Sequence, residues 1–384
     1  MIKTFKVELV PNNKQRSKLE RSAGTARWAY NWALARSKDN YEQTGKFVFD
    51  GDLRKELTQL KKTPELAWLY QCSNNITKQA VKDCTIALEK FFKNKSNFPI
   101  FKSKRKSRSS FYHDPIKLKV TETHVRLEKI GYVKFKEQGR IPRGVSYQNP
   151  RITRAGDTWY ISVAADVECT DVTETSEPIG IDLGIKDLAV VSDGQVFKNI
   201  NKTRRMKTLS KRAKRLEKRK KRFQRRANRH YTKKVENQAK KSRNLLSLEK
   251  QILSVNKKIR DQHINHIHQM TSKLVKTKPE FIVIEDLNVN GLLKNNRLAR
   301  VIQEQRLNEV RRQLEYKCNW YGVKLIIADT SYPSSKLCSE CGHKKSDLRL
   351  SDRTYVCTEC MNMIDRDLNA AINLMQYGMR DVSA

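Results

Sequence analysis

Four cysteines toward the end of the chain constrain its folding more tightly than any other feature. They are spaced Cys338-x2-Cys341-x15-Cys357-x2-Cys360, two knuckles that each present a pair of thiolates to one tetrahedral ion. Gly342 follows the first knuckle, where the backbone must turn tightly, and Thr354, Tyr355 and Val356 read as a strand leading into the second. The spacing predicts a zinc ribbon. Four protein ligands leave no open coordination position, so the metal is structural, and small ribbons of this kind often fold only with it bound. A pair of disulfides is the alternative, disfavoured because no signal-peptide pattern opens the chain. No apolar run approaches the ~18–20 residues of a membrane span either, so a secreted or integral membrane protein is not expected. Cys72, Cys84, Cys169 and Cys318 are scattered and fit buried, reduced thiols of a cytosolic protein.

Charge then decides the partner. Lys+Arg 79 against Asp+Glu 41 leaves +38 on 384 residues, a field that makes sense when a polyanion neutralises it. Nucleic acid is the default, with an acidic membrane surface as competitor. A hydrophobic content of 38% supplies real cores, and the length suggests roughly two or three units. The charge is concentrated. Residues 202–260 hold 25 Lys/Arg against Glu217, Glu236 and Glu249, which places +22 of the +38 in 59 residues. Leu245, Leu248, Ile252, Val255 and Ile259 recur at helical spacing there, and Leu209, Leu216 and Phe223 form a weaker stripe upstream. The pattern predicts two packed basic helices with a turn near residues 228–231. Their outer surface, including Arg212, Arg215, Arg219 and Arg222, would track a phosphate backbone without reading sequence.

Three acidic residues carry the catalytic reading. Asp182 lies inside the apolar run Gly180-Ile181-Asp182-Leu183-Gly184-Ile185, and Glu285 ends the buried-looking strand Phe281-Ile282-Val283-Ile284-Glu285. Asp365 and Asp367 open a terminal helix just after the ribbon. A carboxylate in an apolar strand is costly unless paired or bound to a cation. Each alone has a blander role: a strand-end acceptor, a surface acid, a helix N-cap. Together on a basic chain they favour a nuclease in which two Mg²⁺, about 4 Å apart, activate water and stabilise the leaving oxygen of a phosphodiester. Asp365 suits the capping position, which leaves Asp367 as the third ligand.

The ordered segments GIDLGIKDLAVVSDG, a basic helical insert, IVIEDLNVNGL, YPSSKLCSECG, CTEC and DRDLNAAINL resemble the TnpB family. These are transposon-encoded, RNA-guided nucleases related to the type V CRISPR effectors. The likeness runs from MIKTFKVELVPNNKQ to the last helix. It implies a multidomain α+β protein that cuts DNA under the direction of a transposon-end guide RNA. Its RNase H-like (RuvC) α/β nuclease domain would span residues 169–330 and 362–384, with the basic insert at about 202–260 and the zinc ribbon, a target-nucleic-acid-binding domain, at 331–361. By that resemblance Asp182, Glu285 and Asp367 are the metal-binding triad, the partners are a guide RNA and target double-stranded DNA, and the particle is a monomer or dimer on RNA in a prokaryotic cytoplasm, associated with the nucleoid. No second nuclease motif is evident, since His263, His266 and His268 sit in an amphipathic helix, so one site would cut both strands. A guide-directed regulator that binds without cutting is the alternative, against which the three filled carboxylate positions argue. A strand-transferring transposase, or a nonspecific zinc-ribbon binder, explains less.

The front half is less legible. Phe5, Val7 and Leu9 alternate as a strand ended by Pro11, and Leu19, Ala23, Ala26, Tyr30 and Ala33 follow at helical spacing. Trp28, Tyr30 and Trp32 fit core packing better than base stacking. The connector Lys102-Ser-Lys-Arg-Lys-Ser-Arg108, with Lys104 and Arg105 at its centre, looks like a loop meeting phosphate. Alternating runs at 118–120, 125–127, 132–135, 152–154 and 159–167 suggest a small β-barrel, followed by an acidic linker at 168–177. The resemblance names residues 1–10 and 108–168 a wedge domain and 11–107 a helical recognition lobe, which would read a short motif beside the target. Asn74, Asn75, Lys78 and Gln79 could do so, because amides suit adenine edges and Lys suits guanine or phosphate, although a solvated helix face is the plainer reading.

Overall fold

Alternating side chains from Phe5 to Leu9 build β1 (Ile2–Val10), in which Val7 and Leu9 are buried. Pro11 follows, and Asn12 starts α1 (Asn13–Thr44) through a reciprocal capping box with Gln15. The expected helical stripe, Leu19 to Ala33, is buried. α2 (Asp50–Leu60), a 3₁₀ segment (Pro64–Gln71) and α3 (Asn74–Phe92) continue the helical part. Trp28 stacks on Trp32 at 6.5 Å and meets Trp68 edge-on, and both Trp28 and Trp32 pack against the core.

This computed structural model describes residues 2–105, 107–167, 177–231, 242–287, 291, 299–349 and 352–383. Two compact units meet in sequence at Glu168 and Cys169. The linker expected at 168–177 falls almost wholly outside the described residues, as does Cys169.

In the first unit, β2 (Ser110–Tyr112), β3 (Lys119–Val120), β4 (His124–Leu127), β5 (Gly131–Phe135), β6 (Tyr147–Ala155) and β7 (Thr158–Asp166) join β1 in one sheet of order β2-β6-β7-β1-β5-β4-β3. Every pairing is antiparallel, and β1 runs along β7 from Ile2↔Asp166 to Leu9↔Trp159. The strands were expected to close into a barrel. Closure would pair β2 with β3, yet these are the two edges, three and two residues long.

The second unit is built on a five-stranded sheet: β8 (Ile179–Leu183), β9 (Asp187–Val191), β10 (Val196–Lys198), β11 (Phe281–Glu285) and β12 (Lys324–Ala328), in the order β10-β9-β8-β11-β12. β8, β11 and β12 are parallel, and β9 and β10 add antiparallel neighbours. Parallel strands covered on both faces read as apolar runs, as they do here. One face, with Ile181, Ile282 and Ile284, packs with residues of α5 (Arg243–Lys276) and α7 (Leu307–Tyr321), which follows the short α6 (Ala299–Gln305). The other, with Phe281 and Val283, meets Leu374 of the last helix, α8 (Arg366–Ser383).

The basic insert forms α4 (Arg204–Tyr231) and the first half of α5. Leu248, Ile252 and Val255 are buried, as the periodicity predicts. The turn expected at 228–231 is instead helix, because no Gly or Pro interrupts residues 204–231. Residues 232–241 lie outside the described set. α5 also runs past the insert, and its Ile267, Met270, Leu274 and Val275 enter the sheet's core. Among the described residues no helix is long and apolar enough to cross a membrane.

Candidate active site and metal centre

Strand register brings the first two carboxylates together. Ile284 of β11 pairs with Ile181 of β8 in a parallel ladder, so the next residues, Glu285 and Asp182, are neighbours across the two strands. Side chains alternate along a strand. Asp182 therefore shares a face with Gly180, and Glu285 with Val283 and Phe281. That face is covered by α8, and the approach is close. A methyl added at Gly180 would lie 2.0 Å from the Ala371 carbonyl oxygen and 2.5 Å from the Met375 amide nitrogen. Only glycine lets the helix backbone rest on β8 here. Asp367 lies one helical turn before Ala371 on the same side of α8, which aims its carboxylate toward the pair on the sheet.

The electrostatics agree. Burial raises the Asp182 carboxyl well above the usual carboxylate range, and the nearby charges of Glu285 and Asp367 raise it further, with Arg366 partly offsetting them. Burial also raises Glu285, against the lowering effect of the Ser334 hydroxyl that donates to its Oε1. Asp365 accepts from the amides of Asp367 (2.9 Å) and Leu368 (3.2 Å), the bonding of an N-cap. Asp367 has its own cation close by, Arg366 at 3.4 Å. Oxygen donors that repel one another in a poorly hydrated setting are chemically suited to hard divalent cations. Their oxygens are not gathered as tightly as the cysteine ligands. A pair of ions about 4 Å apart spans a wider donor set than one ion does.

At the ribbon, all four cysteine ligand atoms lie within 4.8 Å of one another. Cys338 and Cys360 sulfurs are 3.6 Å apart, and those of Cys341 and Cys357 are 3.5 Å apart. Tetrahedral Zn–S bonds of about 2.3 Å separate sulfurs by about 3.8 Å, whereas a disulfide holds them at about 2.05 Å. The spacing fits one zinc ion and excludes the disulfide alternative. Gly342 takes φ +73° and its amide bonds to the Cys338 carbonyl at 2.9 Å, the tight turn the first knuckle needs. Backbone amides of Cys360 and Glu359 pull the Cys357 thiol down to about 6, while desolvation and the neighbouring sulfurs push Cys341 up and Cys360 up to about 12, so the four thiols titrate as a linked set. Tyr355 of β13 (Thr354–Val356), paired with β14 (Met363–Asp365), fills the ribbon's small core beside Cys338 and Cys357.

A polar staple that sequence reading missed joins ribbon and site. Asn369 and Asn373, one turn apart on α8, are both buried. Asn369 donates to the Leu337 carbonyl at 2.6 Å and accepts the Ser339 amide at 3.0 Å; Asn373 donates to the carbonyls of Ser334 and Leu337 at 2.8 Å. Gln376 adds a bond to the Ser339 carbonyl. These bonds hold the segment from Ser334 to the first knuckle on the helix that carries Asp367. The one available signal was the i, i+4 pair of asparagines on an otherwise apolar face.

The remaining candidates differ in exposure and in bonding. Arg212, Arg215, Arg219 and Arg222 form one exposed stripe on α4 at spacings of 3, 4 and 3, while Leu209, Leu216 and Phe223 are half-buried. Lys104 and Arg105 are exposed. On α3, the Asn74 side chain accepts from Lys61 (2.6 Å), Asn75 donates to Asp114 (2.7 Å) and Gln79 donates to Asp83 (2.9 Å), so the amides already have partners, while Lys78 is exposed. Cys72, Cys84 and Cys318 are buried free thiols, the latter two pushed up to about 12 by burial. His263 is buried and lowered to about 4 by desolvation.

Three family models match: "Helix-turn-helix domain" over residues 1–46, "Probable transposase" over 160–296 and "Cas12f1-like, TNB domain" over 308–374. A protein of Streptomyces pristinaespiralis bearing the name "Putative RNA-guided DNA endonuclease" is 32% identical over 98% of this chain and 89% of its own. The similarly named InsQ of Escherichia coli K12 is 28% identical over 98% and 92%. Among solved structures, the mini-RNA-guided endonuclease CRISPR-Cas_phi3 aligns over 98% of this chain and 92% of its own, with a TM-score of 0.47 and 10% identity. A Cas12f1–sgRNA–target DNA complex aligns over 98% and 99%, with a TM-score of 0.35 and 16% identity.

Proposed function

Because this chain belongs to the TnpB family, we propose that it is an RNA-guided DNA endonuclease whose one hydrolytic site is formed by Asp182, Glu285 and Asp367. The observation that carries this reading is the register that sets Asp182 beside Glu285 on the face covered by α8. Mg²⁺ ions held by these three carboxylates would supply an activated water and charge stabilisation at the leaving oxygen. The chain's own residues do the positioning. Ser334 holds one oxygen of Glu285, Asp365 caps α8 so that Asp367 stays fixed, and the sheet keeps Asp182 away from water. Target sequence would be read by pairing with the guide, which leaves the protein to recognise shape, backbone and a short flanking motif.

In that scheme residues 169–330 and 362–384 form the RuvC-type nuclease domain, with the zinc ribbon at 331–361 as its target-nucleic-acid-binding part. Residues 1–10 and 108–168 form the wedge, and 11–107 the recognition lobe. The arginine stripe of α4, with Lys104 and Arg105, would lie along phosphates. Asn74, Asn75 and Gln79 would have to exchange internal partners to read bases, which makes Lys78 the readiest contact of that face.

The test is purification with copurifying RNA, which is sequenced, followed by incubation with a plasmid matching its variable end. A defined RNA with a constant scaffold and Mg²⁺-dependent cutting are expected, and Asp182→Ala should abolish cutting while retaining RNA. Equal cutting by that variant would sink the site assignment; random cellular RNA would sink the guided reading.

A further inference from the structure

In the first unit, six aromatic rings form a continuous chain, most of it outside the hydrophobic core. Phe98 meets Phe91 at 5.1 Å, Phe91 meets Phe92 at 5.4 Å, and Phe92 meets both Tyr41 (5.5 Å) and Phe47 (5.8 Å). Phe47 then meets Phe49 at 5.7 Å. They come from the last turns of α1 and α3 and the segments that follow each helix. Of the six, only Phe47 packs against the hydrophobic core. Phe49 is 67% exposed, Tyr41 48%, Phe92 44% and Phe98 43%. Scattered exposed rings need no explanation, but a connected run of them marks a contact surface.

Charge selects the occupant. Lys46, Lys90, Lys93 and Lys95 are interleaved with the rings in sequence, all are exposed, and none makes an ion pair with a carboxylate among the described residues. Of the nearby acids, Glu42 is engaged by Lys38 at 3.5 Å, Asp50 by Arg54 at 2.7 Å and Asp52 by Lys55 at 3.5 Å, while Glu89 precedes Lys90 in sequence. A protein partner would have to desolvate four lysines, a residue depleted in protein interfaces. A polyanion neutralises them instead, and its unpaired bases have faces that stack on aromatic rings.

We infer that the aromatic run Tyr41–Phe47–Phe49–Phe91–Phe92–Phe98, with its lysines, is a stacking platform for unpaired bases of a single-stranded nucleic acid. Every base has a π-face, so the platform selects single strands over duplex without selecting sequence. The inference rests on the reading of the chain as a nucleic-acid enzyme but not on its cleavage site.

The experiment uses the full chain, a 12-nucleotide oligo(U) and an abasic oligomer with the same backbone. Ultraviolet crosslinking followed by peptide mass mapping should place crosslinks in peptides containing residues 41–49 and 91–98. Phe49→Ala/Phe98→Ala, which truncates two exposed rings, should weaken oligo(U) binding by roughly tenfold per lost stack and leave abasic binding unchanged; Phe98→Trp should restore affinity. Asp182→Ala should leave all of this intact, so failure of the cleavage reading would not be mistaken for failure here. Crosslinks confined to the basic helices, or equal losses for the two oligomers, would overturn the platform. So would a wild-type dimer in sedimentation that the double variant dissociates, since the rings would then cover a second copy.

Discussion

Replacing Gly180 with alanine tests how closely the catalytic geometry depends on helix approach. Backbone considerations alone favour the change, because alanine in a strand is about 0.5–1 kcal/mol better than glycine. Sterics oppose it. The new methyl would sit 2.0 Å from the Ala371 oxygen, and reaching ordinary contact at 3.4 Å requires α8 to retreat by about 1.4 Å. Both atoms it strikes, that oxygen and the Met375 nitrogen, are backbone, so no rotamer change can relieve the clash. Overpacking of this kind costs about 1–3 kcal/mol, so the net effect should be destabilising. The larger effect should be on rate, since Asp367 rides on the same helix and a displacement near 1 Å costs on the order of 100-fold. Single-turnover cleavage of guide-matched DNA by the protein–RNA complex reads the rate, and target binding measured in parallel should be unchanged. Gly24→Ala in α1, where the added methyl meets nothing nearer than 3.9 Å, should be stabilising and cut normally. A Gly180→Ala protein that melts higher and cuts at the wild-type rate would refute the close-packing argument.

Ser334→Ala removes the hydroxyl that donates to Glu285; cleavage should fall about 10–100-fold, the usual effect of losing a residue that orients a metal ligand, with partial recovery in excess Mg²⁺ and in Ser334→Thr. For Asp182→Asn the sign follows from the raised carboxyl of Asp182. The folded state holds that proton more tightly than the unfolded chain, so stability falls as pH rises from the ordinary value of 3.8 to the raised one, and the full penalty persists above it. The metal-free variant should therefore melt higher than wild type at pH 7.5 by a few degrees, about 2–4 °C per kcal/mol, with no gain near pH 3, and divalent ions should stabilise wild type more than the variant. Elemental analysis should find one zinc per chain; Cys357→Ser should lower that content, open residues 331–361 to protease first, and depress cleavage through the staple to α8.

Much of the proposed site was legible because its signals are local. Cysteine spacing specifies a ribbon from 23 consecutive residues, and an aspartate inside an apolar run announces itself. The partnership of Asp182 and Glu285 was different: they are 103 positions apart, and nothing in either strand states its neighbour or register. Gly180 carried no expectation of its own, since a close contact with a helix almost 200 positions later leaves no local trace. Asn369 and Asn373 could not be assigned from sequence because their partners are backbone groups, which carry no residue identity. In the seven-stranded sheet the strands were legible and their closure into a barrel was not, for a related reason: strand length is local and closure is not. The basic helix ran past its expected turn because charge patterning marks a surface, whereas only Gly, Pro or a cap marks an end.

The 34 residues of α5 make a rod of about 51 Å at 1.5 Å per residue, with one end packed on α4 as a helical hairpin, where Lys220 meets Glu249 at 3.9 Å, and the other in the core of the sheet. Such a rod is indexed like a gear. Adding one residue between Val255 and Ile267 would turn everything on the hairpin side by about 100° and swing its basic flank off axis, whereas adding seven would turn it by only about 20° short of two revolutions. Length changes in this hairpin should therefore be tolerated in steps of about seven, matched on α4, and single-residue changes should disable nucleic-acid binding without touching any arginine.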